Sequence, residues 1–244
     1  MRDPGPDTAE HRFVPLGLLC GVIVLAALGV AAAVFRGLTL FGVLDTLTAE
    51  HQVQAGAGGL GIRLTAGELA AFDKPFGEHP FVTALHILPA FFFMTLAPFQ
   101  FSSTLRARHL RFHRWSGRAL VLLGIPLGSS GLFFGLSTPF GGSIEASGVA
   151  VAGTLFLFSM IKAVIAVRTG DLNGHRIWMT RAFGLVLSIS MMRVVLLVLM
   201  PLTGAAVQSL FGLAVWLGFL FTGAAAELWL RHADALPNVD RRAA

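Results

Sequence analysis

The sequence predicts an all-α protein, a polytopic transmembrane helix bundle of about six spans with its N- and C-termini in the cytoplasm. Apolar residues make up 55% of the 244 residues, and charged residues make up only 13%. The mean hydropathy is +0.75. The apolar residues also fall in runs that are too long for the core of a soluble domain. We therefore expect one membrane domain over residues 1–244.

Each predicted span is an apolar run of about 20 residues, the length that crosses the hydrocarbon layer as an α-helix. The first run follows Arg2 and Arg12, as in a secretory signal, but its apolar part is longer than that of a signal and acidic residues precede it. An uncleaved helix is therefore predicted. The spans lie at approximately residues 14–35, 81–102, 118–140, 147–167, 178–202 and 209–230.

Basic residues are divided unequally between the two sides of this bundle. With the N-terminus inside, most arginines of the short loops are cytoplasmic, and only Arg36, Arg63 and Lys74 lie outside. This positive-inside pattern predicts a multi-pass membrane protein with both termini inside. Because the basic residues adjoin the spans, they indicate anionic lipid head groups as partners and give no support to nucleic-acid binding.

The longest connection, residues 37–79, is predicted to be an outer interfacial segment. It combines a glycine-rich stretch with two mildly amphipathic pieces at residues 37–51 and 64–76. Such pieces are typical of helices that lie on the membrane surface, either capping the bundle or simply covering the loop ends. The third span contains glycines at GxxxG spacing, which predicts close helix packing. They are Gly124, Gly128, Gly131 and Gly135.

Two ionisable residues lie deep in the predicted spans, where a charge is costly and indicates a functional site. His86 lies about 8 Å below the outer end of the second span and Arg193 about 12 Å below that of the fifth. They are either satisfied within the bundle by snorkelling and packing, or they hold an anionic or carbonyl-bearing ligand. A third alternative pairs Arg193 with an outer-loop acid. The candidate acids are Asp73, Glu78 and Glu145.

A second pair of charges lies near the cytoplasmic ends of the fourth and sixth spans. Lys162 and Glu227 are at matched depth and have opposite charge. A structural salt bridge between these two spans is therefore predicted.

A short motif occurs twice on the cytoplasmic side, as RFHRWSGR before the third span and as GHRIWMTR before the fifth. Each copy places a histidine and an arginine near a helix N-terminus, which favours anions. The ligand candidates are a phospholipid head group, a quinone, haem propionates with an axial histidine, or a phosphate; the alternative is a basic interfacial collar. His109 and His113 also have the spacing of a metal-binding pair on a continuous helix. The ligand-binding candidates here are His113, Arg114, Arg118, His175, Arg176 and Arg181.

Two stretches, LAPFQFSSTLRARHLRFHRWSGRAL and VRTGDLNGHRIWMTRAFGLVLSISMMRV, with His86 ahead of the first, carry a family resemblance. Over roughly residues 81–201 the chain resembles the bacterial predicted membrane proteins called domain of unknown function 2306. The resemblance implies the architecture, the candidate residues and a place in the bacterial cytoplasmic (inner) membrane, and it brings no established activity. The patterned positions are His86, Pro98, Gln100, Phe101, Arg106, His113, Arg114, Gly117, Arg118, Asp171, His175, Arg176, Trp178, Met179, Arg181 and Arg193.

Three functions follow from these features. The first is a redox-linked membrane component that binds haem b or a quinone, with His113, His175 and His86 as candidate ligands of haem iron. The second is the binding or transport of a small anionic ligand by His86 and Arg193. The third is a structural or accessory subunit with membrane-protein partners. A hydrolase is disfavoured because the sequence has no nucleophile elbow, no HExxH motif and no paired acids within the spans.

Overall fold

The computed structural model describes residues 16–40 and 65–235, and the regular structure in these ranges is α-helical. Six of the helices are long and apolar enough to cross a membrane, which confirms the predicted helix bundle. These six are α1, α3, α5, α6, α7 and α8. The helices are α1 (Leu16–Leu40), α2 (Ala66–Glu78), α3 (Pro80–Gln100), α4 (Ser103–Arg108), α5 (Leu110–Ser137), α6 (Gly142–Arg168), α7 (Leu172–Thr203) and α8 (Val207–Ala235).

The spanning helices that follow the basic end begin six to eight residues earlier than the predicted spans. Helix α5 begins at Leu110 and helix α7 at Leu172. The side chain of Asp171 accepts a hydrogen bond from the Gly174 N–H at 2.8 Å and so caps the polar first turn of α7. Apolar runs alone do not reveal polar first turns, and the two histidine-arginine pairs therefore lie inside their helices rather than ahead of them.

Helix α7 is the central element of the bundle, packing against α1, α6 and α8. Helix α3 packs against α1 and α5, and α5 packs against α6. Because successive spanning helices alternate in direction, the connections gather at two ends. We call the end formed by residues 101–109 and 169–171 the basic end. We call the end formed by α2 and residues 138–141 and 204–206 the capped end.

Glycines bring the helices into close contact. A methyl group added at Gly128 of α5 would lie 2.6 Å from the Leu157 side chain of α6. One added at Gly218 of α8 would lie 2.6 Å from the Ser188 carbonyl oxygen of α7. In a bilayer, where lipid is as apolar as the side chains, such close packing is a main source of helix association.

Helix α2 lies over the capped end and covers most of the second predicted amphipathic piece. Its Leu69 is buried in a cluster with Leu196 and Phe211. Glu68 forms a capping box with Thr65 and also accepts a hydrogen bond from the Val207 N–H at 3.2 Å. Burial raises the pKa of Glu68, but its hydrogen bonds to Thr65 and to the start of α8 hold the pKa below its ordinary value. One carboxylate thus serves the N-termini of two helices.

Several predicted features lie outside the described residues. They are most of the first amphipathic piece, the glycine-rich stretch, Arg63 and the arginines near the two termini, namely Arg2, Arg12, Arg241 and Arg242.

We expect substitution at the α5–α6 contact to destabilise the bundle. A methyl group at Gly135 would overlap the side chain of Val149, a stiff β-branched residue. Gly135→Ala should therefore lower the free energy of unfolding by about 1–3 kcal/mol, measured by thermal unfolding in detergent. Gly223→Ala is the matched control, because among the described residues no neighbour lies within 4 Å of a methyl group there. Equal melting temperatures for the two variants would contradict the role of this contact.

Candidate functional site

A cavity of about 270 Å³ lies between the membrane-crossing helices and reaches from the capped end towards the middle of the bundle. All six of these helices and α2 contribute to its wall. The ionisable side chains among its lining residues are Arg36, His86, Glu145 and Arg193. The structure thus places the predicted pair, His86 and Arg193, on one cavity and adds two charged residues to it.

The cavity is charged at one end and apolar at the other. Arg36 lies at the capped end of α1, whereas Gly29 lines the cavity about 10 Å deeper along the same helix. Met94 and Phe156 line the deep part and are buried. An occupant would therefore meet polar groups near the capped end and an apolar wall towards the membrane centre.

His86 is held in a defined orientation by α5. Its Nδ1 lies 3.1 Å from the Ser130 hydroxyl oxygen. The direction of this hydrogen bond follows the imidazole tautomer: with the proton on Nε2, the His86 Nδ1 accepts from the Ser130 hydroxyl and Nε2–H is a donor. The imidazole also packs edge-on against Phe134. This arrangement leaves Nε2 of His86 for a ligand in the cavity.

The two arginines enter the cavity from different helices. Arg36 of α1 forms an ion pair with Asp73 of α2, and its guanidinium lies 4.3 Å from the ring centroid of Phe76. Arg193 of α7 donates to the Ile189 carbonyl at 3.0 Å. Both guanidinium groups are within electrostatic range of the His86 imidazole. The cavity therefore has two arginines, an imidazole and the Glu145 carboxyl in a largely apolar wall, and Asp73 balances the charge of Arg36.

The outer acids that the sequence offered as partners of Arg193 have other contacts. Asp73 pairs with Arg36, and Glu78 lies 3.8 Å from the Lys74 ammonium. Glu145 is buried in the first turn of α6, where it accepts the Gly141 N–H at 2.6 Å. Glu145 was predicted only as a possible partner of Arg193, and Arg36 only as an outer basic residue, because both stand at the ends of their apolar runs, where charge is ordinary.

The basic end brings together a second group of side chains. His113 and His175 are each the fourth residue of their helices and lie within electrostatic range of one another. His175 donates from Nδ1 to the Ala163 carbonyl of α6 at 2.9 Å, which leaves its Nε2 for another partner. His113 is about 25 Å along α5 from Ser130, the partner of His86. This group is therefore separate from the cavity.

The arginines of the basic end have local contacts. Arg118 lies 5.3 Å from the ring centroid of Trp115. Arg176 donates a hydrogen bond from Nη2 to the side-chain oxygen of Asn173 at 3.2 Å. Arg114 is exposed.

In the structure, His109 and His113 are not on one continuous helix, as a metal-binding pair at this spacing requires. His109 separates α4 from α5, and its φ of −133° and ψ of 57° are not helical. The two residues thus do not share the face of a continuous helix, and the prediction is corrected. Within residues 16–40 and 65–235, no group of three histidine, cysteine or acidic residues is placed to hold a metal ion.

The predicted Lys162–Glu227 salt bridge is wrong in its cation. Glu227 accepts hydrogen bonds at 2.6 Å and 3.2 Å from Nε and Nη2 of Arg181. Lys162 lies instead over the ring of Trp178, with Nζ 5.8 Å from its centroid. The reason is the order of the helices, because α7 packs extensively on α8 and supplies the nearer cation. Arg181, a predicted ligand-binding residue, is thereby engaged in a structural ion pair.

Comparison with known proteins gives one family. The family described as predicted membrane protein (DUF2306) matches residues 83–230, more than half of the chain. This region contains α4 to α7 and most of α3 and α8, and it includes His86, Glu145 and Arg193. No curated protein and no solved structure matches the chain.

We expect charge reversal to identify the partner of Glu227. Arg181→Glu and Glu227→Arg should each destabilise the protein, and the double variant should recover a coupling of about 0.5–1 kcal/mol, since the pair is partly exposed. The measurement is a double-mutant cycle of thermal unfolding in detergent. Lys162→Glu combined with Glu227→Lys is the control and should show no recovery. Recovery in the control alone would reinstate the Lys162 pair.

Proposed function

The chain belongs to the DUF2306 family of predicted membrane proteins, and we propose that it binds a small amphiphilic anion within the bilayer. The ligand class is a carboxylate with a short apolar tail. The observation that carries this proposal is the central cavity of about 270 Å³, which has Arg36, His86 and Arg193 in its wall.

The polar end of the cavity suits a carboxylate head. An arginine offers five N–H donors in a planar fork, and arginine-carboxylate hydrogen bonds are stronger than those between neutral groups. Arg193 lines the cavity from α7 and His86 lines it from α3, so the head would be held between two helices. Charged side chains at this depth are expensive to keep in a membrane, which favours a functional reason for their presence.

The deep end of the cavity suits an apolar tail. Its walls are formed by side chains such as Met94, Leu127 and Phe156, with Gly128 leaving space between them. A hydrophilic anion such as free phosphate would leave this surface without a partner. An amphiphile fills both ends and is therefore the better match to the cavity.

The redox hypothesis has less support from this geometry. Of the three histidines considered as haem ligands, only His86 is among the lining residues of the cavity, so it offers no second axial histidine. His113 and His175 lie at the other end of the bundle. A quinone head would meet the same donors as a carboxylate, and it is treated as an alternative outcome of the binding experiment.

We expect octanoate to raise the melting temperature of the purified protein more than octanol, its neutral counterpart of equal chain length, because binding to the folded state stabilises it. Arg193→Gln should weaken octanoate binding by about tenfold or more, the loss of a hydrogen bond to a charged group. The measurement is thermal unfolding over a series of ligand concentrations.

Two comparisons keep this experiment decisive. Arg118→Gln removes an exposed arginine at the basic end and should leave octanoate binding unchanged. Equal stabilisation by octanoate and octanol would refute recognition of the anion. Stabilisation by decylubiquinone, with none by octanoate, would replace the carboxylate by a quinone carbonyl.

We also propose that the basic end faces the cytoplasm of a bacterial inner membrane. Nine of the arginines lie at this end, whereas the described lysine and arginine residues of the capped half are Arg36, Lys74 and, deeper in its span, Arg193. Basic residues next to spans are retained on the cytoplasmic side. The nine are Arg106, Arg108, Arg111, Arg114, Arg118, Arg168, Arg176, Arg181 and Arg231.

The orientation can be tested by labelling introduced cysteines, because Cys20 is the chain's single cysteine. In a Cys20→Ala background, Ser143→Cys adds a thiol at the capped end and Thr169→Cys adds one at the basic end, both at exposed positions. An impermeant maleimide should label the first variant in intact cells and the second only after permeabilisation. The reverse pattern would overturn the proposed orientation.

A further inference from the structure

Glu145 places a carboxyl group in the wall of the central cavity, and the carboxylate site proposed above does not use it. The residue lines the cavity from the first turn of α6 and is only 8% exposed. Its Oε2 accepts the Gly141 N–H at 2.6 Å. This contact fixes the carboxyl group at the start of its own helix, but it supplies no positive charge.

The described residues provide no cationic partner for Glu145. Within residues 16–40 and 65–235, no lysine, arginine or histidine forms a salt bridge with it, and Arg36 pairs with Asp73 instead. A buried carboxylate without a cationic partner is costly. A positive group on an occupant of the cavity would therefore stabilise the ionised form of Glu145.

Aromatic rings lie on the same side of the cavity. Phe72 and Phe211 both line it, with ring centroids 6.0 Å apart. Gly212, the residue after Phe211, packs against the Glu145 backbone. The face of an aromatic ring attracts a cation, and the Arg36 guanidinium already lies 5.3 Å from the Phe72 centroid. A carboxyl group next to such rings is a suitable environment for an ammonium group.

This environment adjoins the part of the cavity that was assigned to the carboxylate. Met192, the neighbour of Arg193 in α7, packs in one buried cluster with Phe211 of α8. Arg193 and Glu145 thus line the same half of the cavity from different helices, and no salt bridge joins them. A ligand between them can present a negative group to the first and a positive group to the second.

We infer that the ligand of the central cavity has an ammonium group next to its carboxylate, and that it is an α-amino acid with an apolar side chain. The inference rests on the carboxylate site proposed above. Arg193 and His86 hold the carboxylate and Glu145 holds the ammonium group. The apolar side chain lies against the deep wall near Met94 and Phe156.

The test compares octanoate with 2-aminooctanoate, which has the same chain and an added amino group. The measurement is thermal unfolding of the purified protein over a series of ligand concentrations. We expect the better-bound enantiomer of 2-aminooctanoate to bind about tenfold more tightly than octanoate, the gain of a hydrogen bond between charged groups.

Two variants assign this gain to a residue. Glu145→Gln should bind the two ligands equally, because glutamine keeps an oxygen for the Gly141 N–H and has no charge. Glu78→Gln removes an exposed acid at the same end and should retain the tenfold difference. An unchanged difference in Glu145→Gln would overturn the inference.

The same titrations separate this inference from the proposed function. Stabilisation by octanoate with no additional effect of the amino group would overturn the inference and leave the carboxylate site in place. Stabilisation by neither ligand would refute the carboxylate site, and the inference with it.

The two enantiomers of 2-aminooctanoate provide a second measurement on the unaltered protein, in case Glu145→Gln prevents folding. Attachment at three points, namely the carboxylate, the ammonium group and the side chain, requires one enantiomer to bind more tightly. We expect a difference of about tenfold, because the other enantiomer loses one of the polar contacts. Equal binding of the two enantiomers would overturn the inference.

Discussion

The close approach of helix backbones is the contact on which the rest of this bundle depends. Gly212 of α8 brings a potential Cβ position to 2.7 Å from the Glu145 N–H group, so the start of α6 lies directly against α8. Gly128 and Gly135 of α5 let the side chains of Leu157 and Val149 of α6 lie directly against the α5 backbone. Because lipid tails are as apolar as the side chains, the hydrophobic effect does not drive helix association in a bilayer. Close packing at small residues drives it instead. This packing positions Glu145 and the wall of the central cavity.

The polar side chains inside the bundle fall into two groups with different physical roles. At the capped end, Arg36, His86 and Arg193 surround a space, and an apolar wall continues it inward. At the basic end, Arg181 is bonded to Glu227. Arg36 is also paired, with Asp73, so what distinguishes the capped half is the cavity that its ionisable side chains line. This difference favours the capped half as the ligand site.

Helix α2 connects the site to the surface of the bundle. Its Asp73 pairs with Arg36, its Phe72 and Phe76 line the cavity, and its Glu68 caps α8. The polar end of the cavity is therefore built from a helix that does not cross the membrane together with helices that do.

The sequence by itself determined the helical class, the six spans and the similar depths of His86 and Arg193, because hydropathy and helix rise depend on local order along the chain. It matched Lys162 and Glu227 in depth by the same reasoning. Only the tertiary structure decided that Glu227 pairs with Arg181 and that Arg36 and Glu145 line the cavity. Depth is one coordinate, and the choice among neighbours depends on helix order and rotation, which are set by packing between distant segments.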